Sequence, residues 1–155
     1  MPSGEIHAGI TLATAGLTYT YAVVLSGEPP VLAVATAVGC ALGIILTPDL
    51  DVKGTRADRI VRESAGFFPA VVWGLLWNPY SALIPHRSLI SHGPIIGTVI
   101  RLLYIAVPLA LLGILPRPGP ILNRMILGLF LSDNMHIGAD FLVTGIKELG
   151  NASEN

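Results

Sequence analysis

Residues 66–92 read GFFPAVVWGLLWNPYSALIPHRSLISH. Whether this stretch crosses a membrane or returns to the side it left decides the fold. It carries Phe67, Phe68, Trp73, Trp77 and Tyr80, interrupted by Pro69 and Pro79, and runs on to His86 and His92. As a span, residues 66–83 are short and proline-broken. An interfacial or re-entrant segment suits them better, because Trp and Tyr settle at the headgroup level of a bilayer. Asp49 and Asp51 lie upstream, in Thr-Pro-Asp-Leu-Asp. If the aromatic segment crosses, these acids and the two histidines stand on opposite faces, some 30 Å apart. If it returns, His7, Asp49, Asp51, His86 and His92 all share one face.

A membrane is implied by composition. The 155 residues are 52% hydrophobic and only 12% charged, against about 25% charged in an ordinary soluble domain. With a mean hydropathy of +0.69, there is too little polar surface to cover a soluble globule of this length. A net charge of −1 leaves no footprint for nucleic acid. Cys40 is the only cysteine, which excludes an internal disulfide and a multi-cysteine zinc site; inside its apolar run it reads as a small buried hydrophobe. No basic residue precedes the first apolar segment, so a cleaved signal peptide is not expected.

The predicted fold is all-α: an integral membrane helical bundle of about four spans plus an interfacial or re-entrant aromatic segment. The spans fall near residues 8–25, 30–46, 94–115 and 121–143, each close to the ~20 residues a bilayer requires. Gly39 and Gly43 in the second give the small-residue spacing that lets a neighbouring helix approach. Residues 1–146 read as one membrane-embedded metal-binding domain and 147–155 as a polar tail. Lys53, Arg56, Arg59 and Arg62 recur at three-residue spacing. That stripe is either a cytoplasmic loop obeying the positive-inside rule or a contact for anionic lipid or phosphate. The returning topology gathers these cations and Arg87 on the histidine-bearing face. It therefore predicts a multi-pass protein of the inner membrane, with the metal site and both termini facing the cytoplasm. Rising about 1.5 Å per residue from Ile121, the last helix reaches His136 and Asp140 close to the same surface.

Each polar cluster has a chemical reading. His136 and Asp140 are four apart, so on a helix they point the same way; they can hold one ion or simply hydrogen-bond to each other. Asp49 and Asp51 can turn toward one cation from an irregular loop, or remain solvated acids at a helix end. His86 and His92 converge only if the chain turns between them, and Ser88, Ser91, Gly93 and Pro94 supply turn chemistry. Arg87 is placed to stabilise an anion, or is one more positive-inside residue. Arg101 lies deep in its span and either snorkels outward, pairs with Asp133 or reaches a substrate anion. Asp133 in turn is a ligand, a partner for His136 or a counter-ion. His/Asp ligation without cysteine suits Zn²⁺ first, then Mn²⁺ or Fe²⁺, and seven ligands suffice for one or two ions. With no serine elbow, P-loop or dinucleotide fingerprint, the hydrolytic chemistry available is metal-activated water.

These motifs also carry a resemblance. The order Met-Pro-Ser-Gly-x-x-His, Pro-Asp-Leu-Asp, His-Arg-Ser-x-x-Ser-His-Gly-Pro-Ile-Ile-Gly-Thr and a late His-x-x-x-Asp resembles an uncharacterised bacterial family of metal-binding membrane proteins. It is also similar to a wider family of inner-membrane-associated metal-dependent hydrolases. The resemblance implies metal-ligand roles for His7, Asp49, Asp51, His86, His92, His136 and Asp140. The chain departs from the wider pattern at Ser88, where that family has glycine, and by one extra residue between His86 and His92.

The expected function is a membrane-embedded metal-dependent hydrolase acting on a phosphoester or lipid-associated ester. Asp51 is the candidate general base and Arg87 the candidate stabiliser of developing negative charge. Membrane lipids and a small-molecule or lipid substrate are the expected partners. The alternative is a metal-binding membrane protein without catalysis, such as a sensor, chaperone or transporter component.

Overall fold

A computed structural model describes residues 4–86 and 88–153, with side chains as far as residue 146. Among them there is helix and no strand. Helix α1 (Gly4–Thr20) continues into a π-turn (Tyr21–Leu25), and α2 (Pro30–Leu42) follows. A 3₁₀ turn (Pro48–Asp51) leads to α3 (Arg56–Ala65) and α4 (Phe67–Leu83). The single turn α5 (Leu89–His92), then α6 (Ile96–Leu111) and α7 (Pro120–Ser153), complete the order. Residues 147–153, read from sequence as a separate tail, continue the backbone of α7.

The centre of the bundle is α2 against α7, with α1 packed on both. Small residues permit this. A Cβ on Gly39 would stand 2.0 Å from the Met125 carbonyl oxygen, and one on Gly128 1.9 Å from that of Thr36. Backbone meets backbone there, as the glycine spacing predicts. An ion pair between Arg124 and Glu28 pins one end of the bundle. Near the other end, Ser132 donates to Thr11 at 3.2 Å. So α1 runs away from that second end while α2 and α7 run back to it.

A capping box starts α3, with the Thr55 and Asp58 side chains serving each other's backbone N–H groups. Gly66, at φ 87°, reverses the chain into α4, a conformation that glycine adopts without a Cβ clash. The reversal lets the Trp73 indole N–H donate to Asp58 Oδ1 at 3.0 Å. Helix α4 continues through Pro79, so the proline-broken reading of this stretch is corrected. Its aromatic residues divide by face. Trp77 and Tyr80 are buried with Leu50 and Ala57 and pack against Tyr104, whereas Phe67 and Phe68 are exposed. Asp51 and His86, which bracket the hairpin, meet at 2.9 Å. The chain thus leaves this end of the molecule and returns to it.

Four spans are not supported. Among the described residues, two helical stretches are long and apolar enough to cross a membrane: Gly4–Leu25, 22 residues, and Pro120–Ile146, 27 residues. Helices α2 and α6 are also apolar, but with 13 and 16 residues they reach only about 20 and 24 Å against a core of about 30 Å. Helix α2 gives way to turns from Gly43. At the start of α6, the Ile96 N–H bonds to the Pro94 carbonyl at 2.8 Å across Ile95, whose φ is 70°. That is a γ-turn, strained for a β-branched residue, and it delays the helix.

Candidate metal centre

Four separate pieces of chain supply the cluster, and each is held by its own local chemistry. The 3₁₀ turn begins where the Thr47 hydroxyl accepts from the Asp49 N–H at 3.4 Å, fixing the two acids after Pro48. In α5, Ser88 Oγ accepts from the Ser91 N–H at 3.3 Å. Ser91 Oγ in turn donates to the Pro85 carbonyl at 3.2 Å and lies 3.0 Å from His92 Nδ1. This one capped turn brings His86 and His92 together, ring centroids 5.2 Å apart and perpendicular. Helix α7 presents His136 and Asp140 on one face, and α1 presents His7.

All seven residues singled out as ligands converge. His92 Nε2 lies 3.3 Å from Asp49 Oδ1, and His136 Nε2 lies 3.5 Å from Asp49 Oδ2 and 3.8 Å from Asp140 Oδ2. His7 Nε2 is 3.2 Å from Asp140 Oδ1, and its ring stacks on His136 at 3.7 Å and 9°. On the other side of His92, Nδ1 is 3.5 Å from Asp51 Oδ2, while His86 Nδ1 is 2.9 Å from Asp51 Oδ1. Two groups have ligand atoms mutually within 4.8 Å: Asp49, His92, His136 and Asp140, and Asp51, His86 and His92.

The electrostatics of the metal-free cluster follow from this packing. Burial pushes the Asp49 carboxyl up, but the His136 and His92 imidazoles beside it outweigh that and hold the group well below the usual carboxylate range. Asp51 is likewise lowered against its burial by His92, His86 and Ser91. Burial alone would lower His92; its bonds to Asp49 and Asp51 instead raise it to about 9. The acids are therefore ionised and His92 carries a proton at neutral pH.

A divalent cation fits these donors. Asp51 Oδ2, His136 Nε2, both Asp140 oxygens and His7 Nδ1 are buried without a hydrogen-bond partner. Each such atom costs about 1–3 kcal/mol, and native interiors rarely leave several together. Nitrogen and carboxylate oxygen are donors that Zn²⁺, Mn²⁺ and Fe²⁺ accept.

The remaining polar residues sort differently. Arg101 is 1% exposed and donates to Asp133 Oδ2 at 2.7 Å, so it does not snorkel, and Asp133 is its counter-ion. Arg87 lies outside the described residues. Two contributors do not stand out individually in the sequence, although the stripe that holds Arg56 reads there as either a cytoplasmic loop or a contact for anionic lipid or phosphate. Ser91 was read only as turn chemistry, yet it contacts His92. Arg56 was one member of a basic stripe, yet it lines a cavity of about 270 Å³ together with His7, Asp49, His86 and His136. The Thr55–Asp58 capping pattern just after the Asp-Leu-Asp turn is the signal that sets Arg56 apart.

The family model described as Uncharacterized metal-binding protein (DUF2227) matches residues 2–118. That span includes His7, Asp49, Asp51, His86 and His92. No curated protein and no solved structure matches the chain.

Proposed function

The chain belongs to this family of uncharacterized metal-binding proteins, and from that premise we propose that it is a membrane-embedded, metal-dependent hydrolase of phosphoesters. The observation that carries the metal centre is the set of unpartnered, buried imidazole and carboxylate atoms drawn together from α1, the 3₁₀ turn and α7, with His92 of α5 beside them.

Asp49, His92, His136 and Asp140 would hold one ion. His92 Nδ1 faces Asp51 and Ser91, the arrangement by which a carboxylate orients a ligating imidazole and leaves Nε2 for the metal. A second ion between Asp51, His86 and His92 would require Nδ1 to give up those contacts. A bound divalent ion polarises a phosphoryl oxygen and lowers the pKa of water beside it. The side chain of Asp51 is 0% exposed and that of His86 37%. Asp51 therefore takes the positioning role, and His86, on the cavity wall with Nδ1 held by Asp51, takes the proton from the attacking water. His7 closes the centre by stacking on His136.

Membrane embedding is supported by the two long apolar helices and by exposed Leu17, Leu25, Phe68 and Leu111, side chains suited to lipid. The proposed setting is the inner membrane, with the centre and both termini on the cytoplasmic side. A second reading, metal binding without catalysis, draws on one observation: four donors are enough to close a tetrahedral site.

Elemental analysis of purified protein should find about one Zn, Mn or Fe per chain, lost in His136→Ala and Asp49→Ala. No metal, or metal indifferent to both changes, sinks the reading. Phosphoester hydrolysis that vanishes in His86→Gln and Asp51→Asn while metal is retained separates the enzyme from the binder.

A further inference from the structure

The cavity above the centre has one cationic wall. Among the described residues lining it, Arg56 is the only Lys or Arg and Asp49 the only carboxylate. Arg56 is half-buried, and its Nε is buried without a hydrogen-bond partner. Its placement is specified by its neighbours. It is the first residue of α3, directly after the capping Thr55. On its other side Gly4 makes room for it: a Cβ there would stand 3.3 Å from Arg56 Cβ. Arg59, one turn further along α3, is exposed and does not line the cavity.

We propose that Arg56 is the anion-recognising residue of this site and binds a phosphate group of the substrate in the cavity beside the metal ligands. The inference rests on the metal-centre reading. Asp49 and Asp140 match the charge of one divalent ion, which leaves Arg56 without a counter-charge on the cavity wall. A guanidinium presents a planar fork of N–H donors that matches two phosphate oxygens at once. At about 270 Å³ the cavity is many times larger than a single water needs, enough for a phosphate and a short substituent. The Thr47 and Thr55 side chains on the same wall supply further hydroxyl groups. A phosphate could come from a soluble monoester or from a lipid headgroup; Arg56 recognises what the two share.

The test uses the full chain loaded with paramagnetic Mn²⁺ or Co²⁺ and follows broadening of the ³¹P line of inorganic phosphate. Wild type should broaden it saturably. Arg56→Gln should weaken phosphate binding about tenfold or more, the value of one lost charge-assisted contact, with metal content unchanged. Arg56→Lys should fall between them, and Arg59→Gln should behave as wild type. Equal phosphate affinity in wild type and Arg56→Gln, or metal-loaded wild type that leaves the line sharp, overturns the role of Arg56 alone. A chain that takes up no metal overturns the centre and this inference together. If Arg56→Gln does not fold, Arg56→Lys decides: undiminished affinity rejects the fork. Dihexanoyl phosphatidic acid in place of phosphate separates the sources, since tighter binding assigns a lipid headgroup and equal binding a soluble phosphate.

Discussion

His92 is the residue through which the centre is organised, because its two ring nitrogens face different carboxylates. Folding raises its pKa from 6.5 to about 9. Its ion pairs with Asp49 and Asp51 therefore contribute fully below pH 6.5 and are lost as pH rises through about 9. Thermal unfolding of metal-free protein should show stability declining across that window, and His92→Gln should flatten the decline. Metal binding by His92 at neutral pH would displace this proton. In sequence, the pairing of His136 with Asp140 is legible because four residues make one turn of helix. The meeting of His86 and His92 is legible only as a condition: Ser88 and Ser91 offer turn chemistry, but the cap that Ser88 builds is seen in the fold alone. Arg56 was hidden for another reason: every third residue of the stripe looks alike until the cap fixes where α3 begins.

Among the elements, contact between α2 and α7 depends on hydrogen atoms where other residues carry carbon. Gly128→Ala places a Cβ 1.9 Å from the Thr36 carbonyl oxygen, and α7 must move to relieve it. A loss of about 1–3 kcal/mol is the usual cost of such overpacking. The unfolding midpoint should fall, and metal content with it, because α7 also carries His136 and Asp140; an unchanged midpoint would mean the helices are not this close. The glycine spacing made the close approach readable in advance. Helix lengths were not, because apolar composition continues past the points where Gly43 and the γ-turn at Ile95 end the regular backbone. Nor does composition say which aromatic rings of α4 turn inward. Trp77 and Tyr80 bury themselves under the 3₁₀ turn, whereas the lipid-interface reading treated all five alike.

On the scale of the whole molecule, the sequence argument that the aromatic segment returns rested on the need for acids and histidines to meet, and in the fold Asp51 and His86 do meet. What could not be read was which apolar segments form helices long enough to cross a bilayer, since hydropathy does not distinguish a 16-residue helix from a span. The proposed orientation has a direct check. A reporter fused after Asn155 should read cytoplasmic, and a periplasmic signal would reject the arrangement. Arg101 with Asp133 fits the same picture, as a buried pair that ties α6 to α7 where either charge alone would be costly.

The centre can also be described as a junction in a polymer. Asp49 and His92 are 43 residues apart along the chain, and His136 lies a comparable distance beyond. One ion joining all three would close two long loops at a single node. In the chain-entropy picture, each covalent closure of that size is worth about 4 kcal/mol, and a coordinate bond acts in the same sense while the ion stays bound. Chelation would then cut a network rather than empty a pocket. Helices α3 and α4, enclosed in the first of those loops, would lose that tether along with the site.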